Sequence, residues 1–443
     1  MLSFRSCVVG LCLPLVLLLF GLLTNHAAAQ SVTVVNIVDS ANAPYTGFNE
    51  FCLNNVGTVA FTATRNAGGS GIYTGNGGTL VTIADTDNAG FDAIESYPAL
   101  NDSGTVVFYA YKQNVRAGIY SGNGGVLTTV ATTDGSTFSD FGLPFSGSIN
   151  NAGTVAFSGS RTDGNSGVYS GSGGAITTIA ERSSPIVELI SRSPVINDSG
   201  VVAFEASPDR GGAGIYTGSG GALTPIVQTT PTGSTQVFFP MINSSGAVAF
   251  LATTGLGERS IHVGSGGALT TIVDAVAQGF SHLDTPALND SGVVVFVART
   301  GMDTQAIYTG SGGSLTRIAA SDDVFASFYS NPRINNSGTV AFRSGLRGGE
   351  GIFAALSGNS APISIIGAGS LLFGSPVTGL LWGNGGLNDA SQIVFRYDLQ
   401  NGRSGIAVAT ITAAIVPEPG TGLLAAVATG LGIVRWVRHK RAL

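Results

Sequence analysis

The 443-residue sequence has little charge, and this scarcity excludes several classes of protein. Charged residues make up 10% of the chain and hydrophobic residues 44%, which excludes a chain kept unfolded by charge repulsion. Glycine is abundant, at 65 residues, but it follows no Gly-X-Y period, so the chain is not collagen-like. Small, β-branched and aromatic residues are typical of short strands joined by tight turns.

Cysteine and histidine are also scarce. Cys7 and Cys12 lie in an apolar N-terminal run, and Cys52 is the one cysteine beyond it, so a chain that loses this run has no internal disulfide. Outside the two termini the histidines are His262 and His282, which give no zinc pattern. The sequence contains no G-x-S-x-G elbow and no P-loop. We therefore assign no catalytic, metal or cofactor residue.

Residues 1–29 have the pattern of a secretory signal peptide. Arg5 supplies the positive start, an apolar run covers residues 7–23, and Ala27–Ala29 offer small residues for cleavage before Gln30. A retained membrane anchor is the alternative. Because neither early cysteine stands at the cleavage point, a lipoprotein signal fits less well.

Residues 413–443 form a second targeting segment. The triplet Pro417, Glu418 and Pro419 precedes an uncharged apolar run over residues 421–434, and a basic cluster from Arg435 closes the chain. The run is short for a spanning helix, which needs about 20 residues. This order resembles the PEP-CTERM sorting signal of bacteria that make exopolysaccharide. The resemblance implies cleavage by an inner-membrane exosortase near the triplet, with release outward. A single-pass tail anchor is the alternative.

Between these ends, over residues 30–412, the chain carries 15 basic and 25 acidic residues. A nucleic-acid-binding protein normally has the opposite balance. We therefore expect no nucleic-acid partner.

One nine-residue phrase, as in INDSGVVAF at 196–204, recurs along the chain. The opening asparagines are 46 to 53 residues apart, a spacing that indicates a repeat architecture. They are Asn54, Asn101, Asn150, Asn197, Asn243, Asn289, Asn335 and Asn388. A phenylalanine follows seven residues after each asparagine. The phrase resembles the NxxGxxAF tandem-repeat family of exported, surface-sorted bacterial proteins, a resemblance that implies no reaction.

Each unit predicts four strands: one ending at the asparagine, then segments like GTVAFTA, GIYTG and LTTIA. Four antiparallel strands per 40–50 residues are typical of a propeller blade. The last unit lacks its fourth strand, and residues 32–40 offer a spare one. We therefore predict an all-β propeller of about eight four-stranded blades over residues 30–412, closed by the N-terminal strand. An open β-solenoid and two smaller propellers are the alternatives.

Alternation within the second strand predicts how blades pack. Val59, Phe61 and Ala63 should face one neighbouring blade, and Ala60 the other. The tyrosines repeated on the third strand are expected to pack between blades, with His262 as a substitute for one of them. The Asn-Asp-Ser-Gly phrases fit structural turns better than calcium loops, because each has at most one acid. A weak calcium site at Asp85–Asp87 is left open.

Basic residues gather between the second and third strands of the units. In a propeller these loops share one face with the connections between blades, which carry acids such as Asp85, Glu188 and Asp284. Ordinary solvated loops would explain the pattern; so would guanidinium groups that grip anionic sugars. The candidate polyanion-binding residues are Arg65, Arg116, Arg161, Arg210, Arg259, Arg299, Arg343, Arg347, Arg396 and Arg403, with Lys112 beside them.

These observations predict an exported structural or adhesive protein of the cell surface or extracellular matrix. It would meet an exosortase during sorting, contact the inner membrane through its C-terminal segment until then, and bind acidic exopolysaccharide. A propeller-type polysaccharide hydrolase or lyase is one alternative, since two carboxylates suffice for glycoside hydrolysis. A protein-binding scaffold is the other.

Overall fold

The computed structural model describes residues 30–413 with gaps. The gaps are residues 88–89, 96, 113–114, 134–136, 142–147, 183–185, 190–193, 209–211, 231–233, 302–303, 322–323, 330 and 358–360. The chain divides into two units, and the fold below is that of the unit Val32–Ile411. The other unit combines Met1–Ser31 with Thr412–Leu443, so the predicted signal peptide and sorting segment lie outside the described residues.

The described strands, numbered along the chain, form eight antiparallel sheets of four or five strands each. The second strand of each sheet carries the V-A-F segment or its equivalent. These strands are β3 (Val59–Arg65), β8 (Val106–Lys112), β13 (Val155–Arg161), β18 (Val202–Pro208), β22 (Val248–Thr253), β27 (Val294–Thr300), β32 (Val340–Leu346) and β37 (Gln392–Leu399).

The third strand of each sheet pairs with the second. These strands are β4 (Ser70–Gly75), β9 (Val115–Gly122), β14 (Ser166–Gly171), β19 (Gly214–Gly218), β23 (Arg259–Gly264), β28 (Thr304–Gly310), β33 (Gly349–Ala355) and β38 (Ser404–Ala413). The outer strands are β5 (Val81–Asp85), β10 (Thr128–Thr132), β15 (Thr177–Glu181), β20 (Thr224–Gln228), β24 (Thr270–Asp274), β29 (Thr316–Ala320), β34 (Ile363–Gly367) and, in the eighth sheet, β1 (Gln30–Asp39).

The inner strand is continuous in some sheets and broken in others. It is continuous as β2 (Tyr45–Leu53), β21 (Gln236–Ile242) and β36 (Ser375–Leu387), the last flanked by β35 (Leu371–Leu372). It is broken into β6 (Ala93–Ile94) and β7 (Ala99–Leu100), β11 (Phe138–Phe141) and β12 (Ser148–Ile149), β16 (Ile186–Leu189) and β17 (Val195–Ile196), β25 (His282–Leu283) and β26 (Ala287–Leu288), and β30 (Phe325–Phe328) and β31 (Arg333–Ile334).

Proline accounts for most of these breaks. Pro98, Pro194, Pro286 and Pro332 stand between the two halves, since proline lacks the N–H that a continuous ladder needs. The described chain also holds one helical turn, α1 (Ala275–Gln278), which Asp274 caps through the Ala277 N–H.

The eight sheets are the blades of a propeller that the first strand closes, as predicted. In the last sheet β1 pairs with β38, which pairs with β37 and then β36. The Ser40 N–H donates to the Ser404 carbonyl at 2.9 Å beside this seam. The alternatives of an open solenoid and of two smaller propellers are excluded, because the last blade takes its outer strand from the chain start.

The core of the unit is divided among the gaps between neighbouring blades. One cluster joins Val59, Phe61 and Ala63 of the first blade to Val394 and Ile406 of the eighth. Ala60 belongs to the next cluster, where Phe108 of the second blade packs against it. The predicted alternation is therefore confirmed. Such clusters occupy all eight gaps, so each blade depends on both neighbours for its buried surface.

The glycine turns between third and outer strands dock on the preceding blade. Gly124 has φ of +99°, and a Cβ there would lie 2.3 Å from Val81 Cγ1 of the blade before. Glycine is required because the backbone approaches this closely with a left-handed conformation. In the first blade the equivalent Gly77 approaches Val35 of β1 in the same way, so β1 occupies the place of an ordinary outer strand.

Candidate functional site

The propeller has two ends with different architecture. We call the turn face the end that carries the turns opened by the repeated asparagines and the glycine turns before the outer strands. We call the loop face the opposite end, which carries the connections from second to third strands and from each blade to the next. The candidate binding residues that the structure describes belong to the loop face.

A closed circle of hydrogen bonds runs around the turn face. Each repeated asparagine donates through Nδ2 to the backbone carbonyl of the asparagine in the next blade, at 2.9 to 3.2 Å. The last bond joins Asn388 to the Asn54 carbonyl and completes the circle. We call this circle the asparagine ring. All eight asparagines are buried.

The same side chains also hold their own turns. The Oδ1 atom of Asn289 accepts the Val293 N–H at 2.9 Å, four residues along the chain. At Asn150 and Asn197 the same oxygen also accepts the N–H two residues on. The sequence predicted structural turns here but not the bond to the next blade. Because both amide atoms are used, one side chain fixes a turn and links two blades.

A second circle, the outer ring, is formed by the residue after each asparagine. Its members alternate between carboxylates and shorter or neutral side chains: Asn55, Asp102, Asn151, Asp198, Ser244, Asp290, Asn336 and Asp389. Most members donate their backbone N–H to the side chain of the next member, as Asn55 does to Asp102 at 2.8 Å.

The alternation has a physical reason. Adjacent carboxylates would repel, whereas an amide between two carboxylates donates to both. Asn151 Nδ2 lies 3.0 Å from Asp102 Oδ2 and 3.1 Å from Asp198 Oδ2. Burial acts to raise the pKa of Asp290, but hydrogen bonds from Ser244 and Asn336 outweigh it and hold that pKa below its usual value. The outer ring therefore places four aspartates on the turn face.

A cavity of about 330 Å³ opens at the centre of the turn face. Its lining includes six members of each ring and the apolar residue before several of the asparagines, such as Ile196 or Leu288. Within the described ranges, no group of three or more histidine, cysteine, aspartate or glutamate side chains is arranged to hold a metal ion. The alternation in this lining is visible in the sequence and could have revealed it.

On the loop face, most described candidate arginines form ion pairs. Their side chains are between 20% and 38% exposed, so part of each guanidinium still meets solvent. The partners are Asp85 and Asp87 for Arg65, Asp163 and Glu181 for Arg161, Asp284 for Arg299, Glu350 for Arg343, Asp398 for Arg396, and Asp39 for Arg403. Arg347 is exposed, and the side chains of Arg116 and Arg210 lie outside the described residues.

Arg403 stabilises the closing strand. Its Nη2 lies 2.5 Å from Oδ2 of Asp39, the last residue of β1, whose side chain is fully buried. The Asp39 carboxylate also accepts from the Ala41 and Asn42 N–H groups at 2.8 and 3.0 Å. Burial acts to raise the pKa of Asp39, but these bonds outweigh it, and the pKa lies below its usual value.

Two sets of residues considered from sequence belong to the framework. Tyr73, Tyr169 and Tyr216 are buried and pack against the phenylalanine of the second strand at 5.8 to 6.0 Å between ring centroids. His262 stacks on Phe250 at 5.5 Å, as its predicted role requires, and burial lowers its pKa. The Cys52 thiol donates to the Pro98 carbonyl at 3.3 Å, and burial raises its pKa to about 12.

The gap between the fifth and sixth blades is different. Arg259 donates from Nη1 to the Leu283 carbonyl at 2.7 Å, and this Nη1 lies 2.9 Å from His282 Nε2. Arg299 stands beside them, 3.8 Å from Asp284. Here His282 and Arg299 both pair with the single carboxylate of Asp284, whereas Arg65 and Arg161 each pair with two carboxylates.

The comparisons with known proteins give a family and a fold. A family of unknown function, DUF7453, matches residues 20–171 and 132–360. The chain belongs to this family. No curated protein matches it. Among residues 30–413, leaving out the gaps, no helix is long and apolar enough to cross a membrane.

Among solved structures, the chain is similar to other propeller proteins. It is 11% identical to prolyl oligopeptidase B from Galerina marginata, with a TM-score of 0.50 over 84% of this chain and 56% of that one. It is 12% identical to an oligogalacturonate lyase from Vibrio parahaemolyticus, with a TM-score of 0.46 over 75% of this chain and 99% of that one. It is 9% identical to the β-propeller domain of the Trilobed protease from Pyrococcus furiosus, with a TM-score of 0.43 over 73% of this chain and 98% of that one. At these identities the likeness shows the fold alone.

Proposed function

We propose that this family member is an exported binding protein of the cell surface or extracellular matrix, which recognises acidic polysaccharide through its loop face. The observation that carries the proposal is the separation of the candidate arginines from the chain ends, which lie on opposite faces. The turn face holds the acidic outer ring and both ends of the propeller unit. The loop face holds the candidate arginines and is clear of the chain ends.

The chain enters and leaves at the turn face. Val35 of β1 contacts the glycine turn at Gly77, and β1 then runs toward Asp39 on the loop face. At the other end, the Ile411 N–H donates to the Ser391 carbonyl in the last turn of the asparagine ring. An attachment through either end of the chain therefore begins at the turn face.

Ion pairing does not prevent the arginines from binding sugars. A guanidinium has five N–H donors, and one carboxylate occupies at most two of them. The ion pair also fixes the side chain before a ligand arrives, which reduces the entropy lost on binding. A circle of such groups suits a long polymer that makes many weak contacts, each of which depends on salt.

Retention on polysaccharide columns tests the proposal. We expect purified protein to be retained on an acidic exopolysaccharide at low salt, released by high salt, and not retained on a neutral polysaccharide. The control variant Arg317→Gln removes one positive charge from outer strand β29. It should elute like the wild type, because Arg317 lies away from the loop face. Equal, salt-insensitive elution from both columns would contradict the proposal. New reducing ends or unsaturated products would indicate a hydrolase or lyase instead.

The route to the surface is part of the same proposal. Residues 1–29 would direct export, and an exosortase would cut near Pro417, Glu418 and Pro419. We expect the double variant Pro417→Ala with Glu418→Ala to stay in the membrane fraction, while Thr421→Ala is released normally. Release of the double variant at the normal rate would contradict the sorting assignment and leave the polysaccharide experiment unaffected.

A further inference from the structure

The gap between the fifth and sixth blades contains a compact cluster of charged groups on the loop face. Arg259 opens β23 of the fifth blade, and His282 lies on β25 of the sixth. His282 is paired with Arg299 of β27 in the strand ladder, and Asp284 follows two residues later. We call these four residues the blade 5–6 cluster. Its side chains are partly exposed except Asp284, which is 11% exposed.

The hydrogen bonds of this cluster conflict at one nitrogen. His282 Nε2 lies 2.9 Å from Arg259 Nη1 and 3.0 Å from Asp284 Oδ1. Arginine can only donate and an ionised carboxylate can only accept, so Nε2 would need to accept and donate at once. Whichever contact His282 satisfies, the other is left unfavourable. When Nε2 carries the proton and donates to Asp284, Arg259 is left one acceptor short.

The charges lead to the same conclusion. Arg259 forms no ion pair with any described carboxylate, and Glu258 next to it turns to the Thr254 hydroxyl at 3.2 Å. Arg299 lies 3.8 Å from Asp284, beyond hydrogen-bonding distance, and its Nε is buried without a hydrogen-bond partner among the described residues. Counted over the four side chains, the cluster carries an excess of positive charge even when His282 is neutral.

We propose that the blade 5–6 cluster binds one carboxylate group of an acidic sugar between Arg259 and Arg299. The carboxylate supplies the missing acceptor, so that Arg259 donates to the ligand and His282 donates to Asp284. A planar carboxylate matches the fork of a guanidinium through two parallel hydrogen bonds. This inference rests on the proposed function and narrows it from a circle of arginines to one site.

His282 gives a direct probe of the cluster. The propeller unit contains two histidines, so NMR of the imidazole groups reports on His282, with His262 as an internal reference. The variant His262→Tyr assigns the two signals and matches the tyrosine of other blades. We expect a galacturonate tetramer to shift the His282 signal in a saturable way, while its neutral methyl ester does not. No shift with the tetramer would overturn the proposal.

Variants locate the site by isothermal titration with the same tetramer. Losing one charged hydrogen bond weakens binding by about tenfold to a hundredfold, which we expect for Arg259→Gln and for Arg299→Gln. Arg317→Gln should bind like the wild type. Circular dichroism confirms that each variant is folded. An equal loss in Arg161→Gln would assign binding to the whole circle and overturn the single site.

Inorganic phosphate separates this inference from the proposed function. If phosphate shifts the His282 signal and the tetramer does not, the cluster binds small anions and the sugar carboxylate is wrong. If the tetramer binds at the cluster but the acidic column does not retain the protein, the single site is supported and the polymer-binding function is contradicted. If the column retains the protein but the His282 signal does not respond to the tetramer, the polymer-binding function is supported and the single site is wrong.

Discussion

The two faces of this propeller are built from the same repeat but differ in regularity. On the turn face every blade contributes the same asparagine and the same bond to its neighbour, and the residue after it alternates in charge. On the loop face the arginines stand at different positions and find different partners. The comparison teaches that the repeated asparagine bonds close the ring at the turn face, while the residues of the loop face can differ from blade to blade and can bind a ligand.

The largest effect is expected in the asparagine ring. Asn289→Ala removes the acceptor of the partly buried Val293 N–H and the buried bond to the Asn335 carbonyl. An unpaired donor costs about 1–3 kcal/mol and a lost bond about 1, so we expect a loss of about 2–4 kcal/mol. Denaturant unfolding measures it. Ser291→Ala, an exposed change in the same turn, is the control. Equal stability of both variants would show that the ring is not needed for closure.

The second largest loss of stability is expected at Asp39, where the closing strand β1 ends. Asp39→Asn removes the ion pair with Arg403 and weakens the bonds from Ala41 and Asn42, for a loss of about 1–3 kcal/mol at neutral pH. Because the pKa of Asp39 is lowered from 3.8 by folding, its stabilisation is present above that pH and is lost as the pH falls through the lower folded pKa.

Unfolding curves across pH check this sign. The difference between wild type and Asp39→Asn should be constant from about pH 5 to 7 and should narrow below about pH 4. Asp398→Asn, which affects a half-exposed pair with Arg396, is the matched control measured in the same way. A difference that persists unchanged in acid would mean that the carboxylate charge of Asp39 is not what matters.

A substitution in the outer ring is expected to give a smaller change in stability, and this change is a gain. Seven of its members donate to the next blade, but Asp198 has no such bond to Ser244, whose side chain is too short. Ser244→Asn should supply the missing acceptor and stabilise the protein by about 0.5–1.5 kcal/mol in thermal or denaturant unfolding. Ser244→Ala keeps the backbone N–H bond to Asp290 but loses the hydroxyl bond, so it should not stabilise the protein. Destabilisation by asparagine would indicate that the alternation is not a closure device.

The smallest change is expected on the loop face. Arg396→Gln breaks an ion pair with Asp398 whose side chains are 27% and 42% exposed. Pairs of this kind contribute about 0–1 kcal/mol, so the unfolding midpoint in denaturant should barely move. A loss as large as that of Asn289→Ala would remove the distinction between a face that holds the ring and a face that is free to vary.

Much of the fold could be predicted because its signals are local and repeated. The period of the asparagines predicted the number of blades. Alternation in the second strand predicted how Phe61 and Ala60 pack, and the spare strand at the chain start predicted how the ring closes. The position of His262 in step with the tyrosines identified it as part of the framework. Each inference needed the pattern of one blade and its neighbours.

The remainder depended on contacts between different strands. A turn pattern explains why asparagine opens a loop, but it does not show that the amide reaches a carbonyl 46 or more residues away. Likewise, counting arginines on one face did not reveal that Asp87, Glu181 and Glu350 would neutralise them. The blade 5–6 cluster emerged once those pairs were visible, because it is defined by the acceptor that it lacks.

Closure by the first strand is the central claim, and a disulfide across the seam tests it most directly. Ser40 and Ser404 are joined by a 2.9 Å backbone bond and by a 3.1 Å bond from the Ser404 N–H to the Ser40 hydroxyl. We expect Ser40→Cys with Ser404→Cys, in a Cys52→Ser background, to oxidise readily and to raise the unfolding midpoint over either single variant, since the bond closes nearly the whole chain. Failure to form this bond under oxidising conditions would contradict a ring sealed by β1.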